Sequence, residues 1–420
     1  MENEDREPGN SYGSTSEMEA HMIQNSATRR TFIGSMAAAF GLARFSPALD
    51  IFAQARQRQA QGQGEPGEEH PDENYDEVAK LASNENCWGP SDAVVTAMKD
   101  AFKYANRYQY PDGGIVDAIA KHHGLKKENV ILGAGSGEVL RIVDETFLPD
   151  HKRVVGVDPS YDSVYRHVTN SKAEVIKVPL LKDYRMDIPG IIREVKLNYR
   201  DVSFVYLCNP NNPTGNIIPK QEIKMLLDSI PGDVTVLIDE AYHHFVTNPE
   251  YATSVPYVQE GRNVIVTRTF SKIAALAGMR LGYGLAPKET IERLRAFGGG
   301  GLNAVVKYGG VAALKDAAYE KKIKQMTVEL REKTCNELRA WGYEVIPSEA
   351  NFFMVNVGKD VAAVAEDFKK RKVLVGRKFP PMNNWLRVSI GTEPEMARFM
   401  AAFKELFPAG GIKKEKKEAD

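Results

Sequence analysis

Short, nearly continuous apolar runs in the middle of the chain constrain its fold more than any other feature. Runs this short, and this rich in Val and Ile, are typical of strands covered on both faces, as in a parallel sheet. Between most of them lie segments with helical spacing, such as Lys220–Ser229. Alternating strands and helices predict a wound α/β sheet, in which ligands bind beyond the carboxyl ends of the strands. The runs are Val130–Leu132, Arg153–Val157, Val202–Leu207, Val234–Ile238, Asn263–Thr267 and Leu281–Leu285.

The pattern changes after residue 300. A long polar helical stretch, Ala312–Trp341, is followed by strand-like Phe352–Val357, a helix at Val361–Arg371 and strand-like Trp385–Ile390. This order predicts a second, smaller domain, which Glu77–Tyr108 from the front of the fold joins. The predicted fold class is α/β, with a large domain built on a mostly parallel sheet flanked by helices. The smaller domain is α+β and is built from the N- and C-terminal segments.

Composition sets the predicted domain boundaries. Residues 56–76 are rich in Gln, Gly and Glu and have almost no apolar side chains, which predicts a disordered linker. We predict a leader at residues 1–55, that linker, an N-terminal segment of the small domain at 77–110, the large domain at 111–300, the C-terminal small domain at 301–408 and a disordered tail at 409–420.

The N-terminus carries an arginine pair, Arg29 and Arg30, followed by a modestly apolar run that ends near Leu42. This arrangement is typical of a twin-arginine export signal, and residues 53–55 supply a small-x-small cleavage site. The run is too short to span a bilayer, which takes about 20 apolar residues. We therefore predict a periplasmic or otherwise extracytoplasmic protein with no stable membrane association after cleavage. The alternative is a cytoplasmic protein with a chance arginine pair in a disordered leader.

Charge and cysteine usage give no sign of two other kinds of site. The formal net charge is -1, so the chain has no basic excess that would indicate a nucleic-acid-binding face. Cys87, Cys208 and Cys335 are far apart and lack the spacing of metal ligands. We predict buried or free thiols, no metal site and no nucleic-acid partner.

The strongest motif is Thr269-Phe270-Ser271-Lys272, which directly follows an apolar run. A lysine shielded from water at such a place can lose its proton and attack an aldehyde, as Schiff-base chemistry requires. Arg280, eight residues further on, offers a planar fork of donors to a phosphate, and Thr269 and Ser271 add hydroxyl groups. Taken alone, a lysine after a serine is more often a surface charge.

The segment Asn209–Gly215 has the sequence NPNNPTG and follows the run that ends at Leu207. Asn, Pro and Gly are the commonest turn formers, so the segment predicts a turn. Such a turn can also place the Asn212 amide against a hydroxyl group on a ring. The structural and the functional interpretations are compatible.

Asp239 directly follows the apolar run Val234–Ile238. A carboxylate at this position is costly to bury without a partner, and a protonated pyridine nitrogen would be such a partner. The ion pair would make the ring an electron sink, and Tyr242 could donate to the ring's phenolic oxygen. The alternative is a strand-end aspartate that caps a helix.

The glycine-rich segment Gly133–Glu138 leads from a predicted strand into a helix. Gly135, Ser136 and Gly137 let backbone N–H groups and the helix N-terminus approach a phosphate. A dinucleotide-binding loop is the competing interpretation, since Asp158 follows a strand about 20 residues later. The glycines do not have the G-x-G-x-x-G spacing, so we rank that interpretation second.

Together the four motifs resemble those of fold-type I pyridoxal-phosphate (PLP) aminotransferases of the class I/II group, most closely the histidinol-phosphate aminotransferase family. The resemblance covers nearly all of residues 76–408. It implies that Lys272 holds PLP as a Schiff base and later acts as the base. It also implies transfer of an amino group from an amino donor to a 2-oxo acid by a ping-pong mechanism.

Two motifs of the N-terminal segment carry the resemblance further. Asn84–Pro90 is similar to the family's N-terminal motif, which makes Asn86 a candidate substrate-binding residue; Cys87 stands where the family usually has proline. Arg107–Asp112 resembles the family's Tyr-Pro-Asp segment, in which the tyrosine reaches the cofactor phosphate of the partner subunit. The resemblance therefore implies that Tyr110 crosses a homodimer interface.

Three further roles are implied by the resemblance. Tyr161, in the segment Asp158–Tyr161, looks like the residue that stacks on the pyridine ring. Arg387, within the strand-like run Trp385–Ile390, resembles the arginine that binds a substrate carboxylate or phosphate through paired hydrogen bonds. Without the resemblance, an arginine in an apolar strand is as readily explained by a structural ion pair. Arg377 is similar to a second basic residue at the substrate end.

Several functional alternatives remain open from the sequence. The same fold serves other PLP chemistry, such as that of a lyase or a decarboxylase, and a non-catalytic binding protein is a more distant possibility. Histidinol phosphate is the default donor by resemblance. If the leader exports the enzyme, a free or modified amino acid becomes more plausible. Arg387 and Arg377 can hold either a phosphate or a carboxylate, so they do not decide between these donors.

Overall fold

The computed structural model describes residues 72–148, 152–169, 172–298 and 301–411 of the 420-residue chain. The chain divides into two compact units, residues 1–75 and 76–420. In the first unit only residues 72–75 are described, and they belong to a 3-10 helix, Asp72–Glu77, that includes the end of the predicted linker. The predicted leader and the last part of the predicted tail, residues 412–420, lie outside the described residues. The domain boundaries stay predictions.

Strands and helices alternate through most of the described chain. The strands are β1 Ala79–Leu81, β2 Val130–Gly133, β3 Arg153–Asp158, β4 Glu174–Pro179, β5 Val202–Cys208, β6 Thr235–Asp239, β7 Val264–Thr269, β8 Gly282–Leu285, β9 Val345–Ile346, β10 Phe352–Asn356, β11 Val373–Val375 and β12 Trp385–Ser389. The helices are α1 Asp92–Ala101, α2 Ile115–His122, α3 Ser136–Phe147, α4 Ser163–Thr169, α5 Ile188–Leu197, α6 Lys220–Ser229, α7 Val255–Gln259, α8 Lys288–Arg295, α9 Ala304–Lys315, α10 Ala317–Ala340, α11 Val361–Lys369 and α12 Glu393–Leu406.

The large sheet has the strand order β2-β8-β7-β6-β5-β3-β4. All neighbouring strands are parallel except where β8 runs antiparallel to β2 and β7. Every residue of β6 and β7 is buried, as the continuous apolar runs predicted for strands covered on both faces. The mostly parallel α/β fold is therefore confirmed. The strand β4 was missed because it lies at the edge of the sheet, is mostly solvent-accessible and has no continuous apolar run.

The smaller part of the fold has two sheets. One is antiparallel, with the order β12-β10-β9, and the other pairs β1 with β11 in parallel, so that Ala79 lies opposite Val373. A separate apolar core supports these sheets and includes Phe353, Phe368 and Phe399. The pairing of β1 with β11 means that this α+β part is built from both the N- and C-terminal segments.

The long polar helical stretch predicted at Ala312–Trp341 is not one continuous helix. The chain instead forms α9 and α10, which are separated at Asp316. The Asp316 carboxylate accepts a hydrogen bond from the Tyr319 backbone N–H at 3.1 Å and caps α10. Within the described residues, no helix is both long enough and apolar enough to cross a membrane.

Candidate active site

Three neighbouring strands of the large sheet end side by side and carry the predicted cofactor residues. Cys208 at the end of β5 lies opposite Asp239 at the end of β6, and Asp239 lies opposite Thr267 in β7. The loops that leave β5 and β7 carry Asn212 and Lys272. Motifs that are distant in sequence therefore meet at one edge, because parallel strands share their carboxyl ends.

Lys272 lies in the turn after β7 and is half-buried. Its Nζ donates a hydrogen bond to the Ser83 carbonyl oxygen at 3.1 Å and lies 5.6 Å from the centre of the Tyr242 ring. Burial, followed by the positive charge of Arg387, lowers the pKa of Lys272 to about 8. A minority of this amine is therefore neutral, and so nucleophilic, near neutral pH, a larger share than for a lysine of ordinary pKa.

Asp239 is buried at the end of β6. Its Oδ1 accepts a hydrogen bond from Thr267 Oγ1 at 3.1 Å. Burial raises the pKa of Asp239 to about 6, against the opposing effects of this hydrogen bond and of the Ala241 backbone N–H. No lysine or arginine in the described ranges forms an ion pair with this carboxylate. It therefore provides a matching site for a cationic ring nitrogen.

The Tyr242 hydroxyl accepts two hydrogen bonds in the interior of the protein. Asn84 Nδ2 donates at 3.1 Å and Asn212 Nδ2 donates at 3.2 Å. Because two donors use the oxygen as an acceptor, the hydroxyl proton of Tyr242 is available for donation to a further group. Asn212 and Tyr242 are thus in direct contact, and Lys272 lies beside the Tyr242 ring.

The glycine-rich segment lies against Arg280. Gly135 has a φ of 83° and precedes the first residue of α3, and a Cβ atom at this position would overlap the Arg280 guanidinium. Arg280 is held by hydrogen bonds to the carbonyl oxygens of Ala134 at 3.1 Å and of Ala277 at 2.9 Å. The missing side chain at Gly135 therefore lets an exposed guanidinium approach the N-terminus of a helix, an arrangement suited to a phosphate.

The remaining phosphate candidates belong to the same two segments. Ser136 and Gly137 are the first two residues of α3. Thr269 Oγ1 donates to Ser271 Oγ at 2.8 Å and accepts from the Ser271 backbone N–H at 3.0 Å. Both hydroxyl groups are buried in the turn before the lysine.

Arg387 is buried in β12 and is 8% exposed. It donates to Asn212 Oδ1 at 2.7 Å and to the Ala82 carbonyl oxygen at 2.5 Å, while its Nε has no hydrogen-bond partner among the described residues. Burial lowers the pKa of Arg387 to about 10, and the charge of Arg377 adds to this effect. Within the described ranges no carboxylate pairs with Arg387, which disfavours the structural ion pair and suits binding of a substrate anion.

Arg377 and Tyr161 lie at the outer side of the site. Arg377 is exposed and forms an ion pair with Asp162 at 3.1 Å. Tyr161 is partly buried, and burial together with the negative charge of Asp239 raises its pKa. Tyr161 therefore lies within electrostatic reach of the Asp239 carboxylate.

Two other predicted site residues, Asn86 and Tyr110, form hydrogen bonds within the chain. Asn86 Nδ2 donates to the Ile273 carbonyl oxygen at 2.9 Å and to Tyr319 Oη at 3.2 Å. The Tyr110 hydroxyl donates to the carbonyl oxygen of Leu302. The substrate role of Asn86 and the contact of Tyr110 with a partner subunit stay predictions.

Sequence reasoning missed three residues that shape the site. Asn84 stands in the quoted N-terminal motif, but only the fold brings it to Tyr242. Thr267 ends an apolar run, and a polar residue at that position was its only signal. Phe379 lies beneath both Arg377 and Arg387, and nothing in its sequence context distinguishes it.

These features fit PLP. The site has an amine with a lowered pKa, a buried carboxylate that forms no ion pair with a lysine or arginine of the described segments, and an arginine packed against a helix N-terminus where a Cβ atom would not fit. The fold and the site together define a PLP-dependent transaminase. The sequence matches the family "Aminotransferase class I and II" over residues 76–403, and the chain belongs to that family.

Individual relatives agree with this assignment. The histidinol-phosphate aminotransferase of Moorella thermoacetica is 36% identical over 337 residues, which cover 79% of this chain and 86% of the relative. The crystal structure of the histidinol-phosphate aminotransferase from Sinorhizobium meliloti in complex with pyridoxal-5'-phosphate aligns with a TM-score of 0.71 at 26% identity, over 78% of this chain and 91% of that one. A structure from Erwinia carotovora atroseptica aligns with a TM-score of 0.76 at 31% identity, over 79% and 97% of the two chains.

The geometry assigns a task to each group. When bound, PLP supplies an aldehyde that condenses with amines and a ring that accepts electron density from the donor Cα. Lys272 Nζ is the group that would anchor the aldehyde, and its lowered pKa suits it to take the proton from the donor Cα. The Asp239 carboxylate would hold a proton on the ring nitrogen, and Asn212 and Tyr242 would hydrogen-bond to the ring oxygen. A 2-oxo acid would accept the amino group in the second half of the cycle, which gives ping-pong kinetics.

Proposed function

We propose that the amino donor carries an acidic group that Arg387 binds, with histidinol phosphate as the first candidate and a 2-oxo acid as the acceptor. The observation that carries the proposal is the buried Arg387 guanidinium, which hydrogen-bonds to Asn212 and has no carboxylate partner in the described ranges. Arginine binds carboxylates and phosphates through paired, charge-assisted hydrogen bonds. The names of the relatives point to histidinol phosphate among such donors.

The test compares histidinol phosphate with histidinol, which lacks the phosphate, using the full chain loaded with PLP and 2-oxoglutarate as the acceptor. We expect glutamate to form from histidinol phosphate at least about a hundredfold more efficiently, since a buried charge pair contributes about 3 kcal/mol or more. Arg387→Leu should remove this preference, and the exposed Arg339→Gln should retain it. Equal efficiencies with the two donors would contradict the proposal.

We also propose that the enzyme is a homodimer in which Tyr110 completes the partner's phosphate site. Support comes from the family resemblance and from two exposed aromatic side chains that precede Tyr110 in the sequence, Phe102 and Tyr108. Co-expression of Lys272→Ala and Tyr110→Ala subunits provides the test. In each mixed dimer, one of the two sites has both Lys272 and Tyr110. Activity should therefore return in the mixture, whereas a dimer of either variant alone should lack it. No recovery in a proven mixed dimer would contradict a role across the interface.

We further propose that residues 1–55 are a twin-arginine leader that exports the folded enzyme. The support is the pair Arg29 and Arg30 followed by a short apolar run and a small-x-small site. Cell fractionation of the full chain tests this proposal. The wild type should reach the extracytoplasmic fraction with a shortened N-terminus, and a variant with both arginines replaced by lysine should remain in the cytoplasm. The same distribution for both chains would refute the proposal.

A further inference from the structure

We propose that Asp162 tunes the preference among donors, as an internal counter-anion for Arg377. In the free enzyme the Asp162 carboxylate forms an ion pair with Arg377. A donor with a distal anionic group replaces Asp162 as the partner of Arg377. A donor with a neutral side chain leaves the pair intact. The inference rests on the proposed function, because it concerns the same donor site, and it adds the class of donor that the outer part of this site accepts.

The geometry places Asp162 between two arginines. Its Oδ2 lies 3.1 Å from Arg377 Nη2, and its Oδ1 lies 3.7 Å from Arg166 Nη2. Asp162 directly follows Tyr161, the residue coupled electrostatically to Asp239. A single carboxylate thus balances part of the positive charge at the outer side of the site.

Phe379 connects this outer group to the buried substrate arginine. The Arg377 guanidinium carbon lies 4.4 Å from the centre of the Phe379 ring, and that of Arg387 lies 4.8 Å from the same centre. Arg387 is buried whereas Arg377 is largely exposed. The two cations therefore form an inner and an outer anion-binding position around one aromatic ring, the outer one engaged by Asp162.

The energetics allow exchange. The side chains of Arg377 and Asp162 are 48% and 36% exposed, and exposed ion pairs contribute about 0.2 to 1 kcal/mol. A distal carboxylate or phosphate can therefore displace Asp162 at low cost. When the donor is neutral, Asp162 keeps the charge of Arg377 compensated beside an apolar side chain, so one site accommodates both classes of donor.

The test uses glutamate and glutamine as donors, because they present the same α-carboxylate to Arg387 and differ only in the distal group. Asp162→Asn should raise the ratio of kcat/KM for glutamate over glutamine about two- to fivefold, mainly through a lower KM for glutamate. The gain should vanish in Asp162→Asn combined with Arg377→Gln. Asp228→Asn is the matched control, since Asp228 is also an exposed carboxylate between two cations, Lys224 and Arg262.

Calorimetric binding of glutarate and its monoamide gives the same comparison without turnover. Asp162→Asn should raise the affinity for glutarate about two- to fivefold relative to the affinity for the monoamide. Unchanged ratios in Asp162→Asn, or an equal change when Arg377 is also replaced, would overturn the role of Asp162. If glutarate binds as expected but no amino group is transferred, the role of Asp162 stands and the proposed function is contradicted.

Discussion

The side-chain amide of Asn84 donates a hydrogen bond to the Tyr242 hydroxyl across 3.1 Å, although 158 positions separate the two residues. Asn84 is held in turn by Ser389: its backbone N–H donates to Ser389 Oγ, and that hydroxyl donates to Asn84 Oδ1, both at 2.8 Å. Ser389 lies two residues after Arg387 in β12. The N-terminal segment therefore connects β12, the strand that carries Arg387, to Tyr242.

We expect Asn84→Gly to lower kcat/KM about fivefold, since loss of one hydrogen bond to Tyr242 costs about 1 kcal/mol. Asn84 has a φ of 54°, a conformation that glycine tolerates and alanine does not. Asn84→Ala should thus show the same loss of rate but melt below Asn84→Gly, with a difference of about 1 kcal/mol in the free energy of unfolding. Wild-type kinetics in Asn84→Gly would show that the contact does not position Tyr242.

Asp239 should make opposite contributions to stability and to catalysis. Its folded-state pKa of about 6 lies above the value of about 3.9 for an unfolded aspartate, so the cofactor-free chain loses stability as pH rises through this interval. The free energy of unfolding of cofactor-free Asp239→Asn should therefore exceed that of the cofactor-free wild type by about 2 to 3 kcal/mol at about pH 8. This difference should shrink toward about pH 4.

The same substitution should lower amino transfer by the loaded enzyme at least about a hundredfold, because the negative charge that holds the ring proton is lost. Denaturant unfolding of the two cofactor-free chains at several pH values tests the first part, and turnover tests the second. A pH-independent difference in stability, or full activity in Asp239→Asn, would contradict the assignment.

Gly135→Ala should weaken cofactor binding because the new methyl group overlaps the Arg280 guanidinium. The backbone at this position, with a φ of 83° and a ψ of 164°, is one that essentially only glycine adopts, so the variant should also lose about 1 to 3 kcal/mol of stability. We expect PLP affinity to fall about tenfold or more.

The matched control is Gly232→Ala, because a Cβ atom at Gly232 meets no atom of the described part of the chain within 4 Å. Equilibrium titration of the cofactor-free chains with PLP measures the effect. If Gly135→Ala bound PLP as tightly as this control, the phosphate would have to lie elsewhere.

The sequence predicted the large sheet well because strands covered on both faces leave continuous apolar runs, as in β6 and β7. It also predicted the placement of Asn212, Asp239 and Lys272, because parallel strands bring their carboxyl ends to one edge. The edge strand β4 has no such run, and its solvent-accessible side chains gave no strand signal. The local sequence pattern therefore predicts strands that are buried on both faces, but it does not predict the solvent-accessible strand at the edge of the sheet.

The contacts between the two parts of the site could not be predicted from local pattern. Asn84 reaches Tyr242 and Ser389 only because β1 pairs with β11 and β12 lies nearby, and sequence spacing does not encode such pairings. The position of Phe379 beneath two arginines likewise depends on the packing of distant segments. Family resemblance supplied the role of Arg387, whereas the structure was needed to show that it is buried and that no carboxylate of the described segments pairs with it.

The most direct test of the central claim is the absorption spectrum of the purified full chain after incubation with PLP, for the wild type, for Lys272→Ala and for the exposed Lys288→Ala. The account predicts the visible band of a lysine-linked cofactor in the wild type and in Lys288→Ala, its loss on addition of an amino donor, and its absence in Lys272→Ala. The same band in Lys272→Ala, or no band in the wild type, would contradict the assignment of Lys272 as the residue that binds the cofactor.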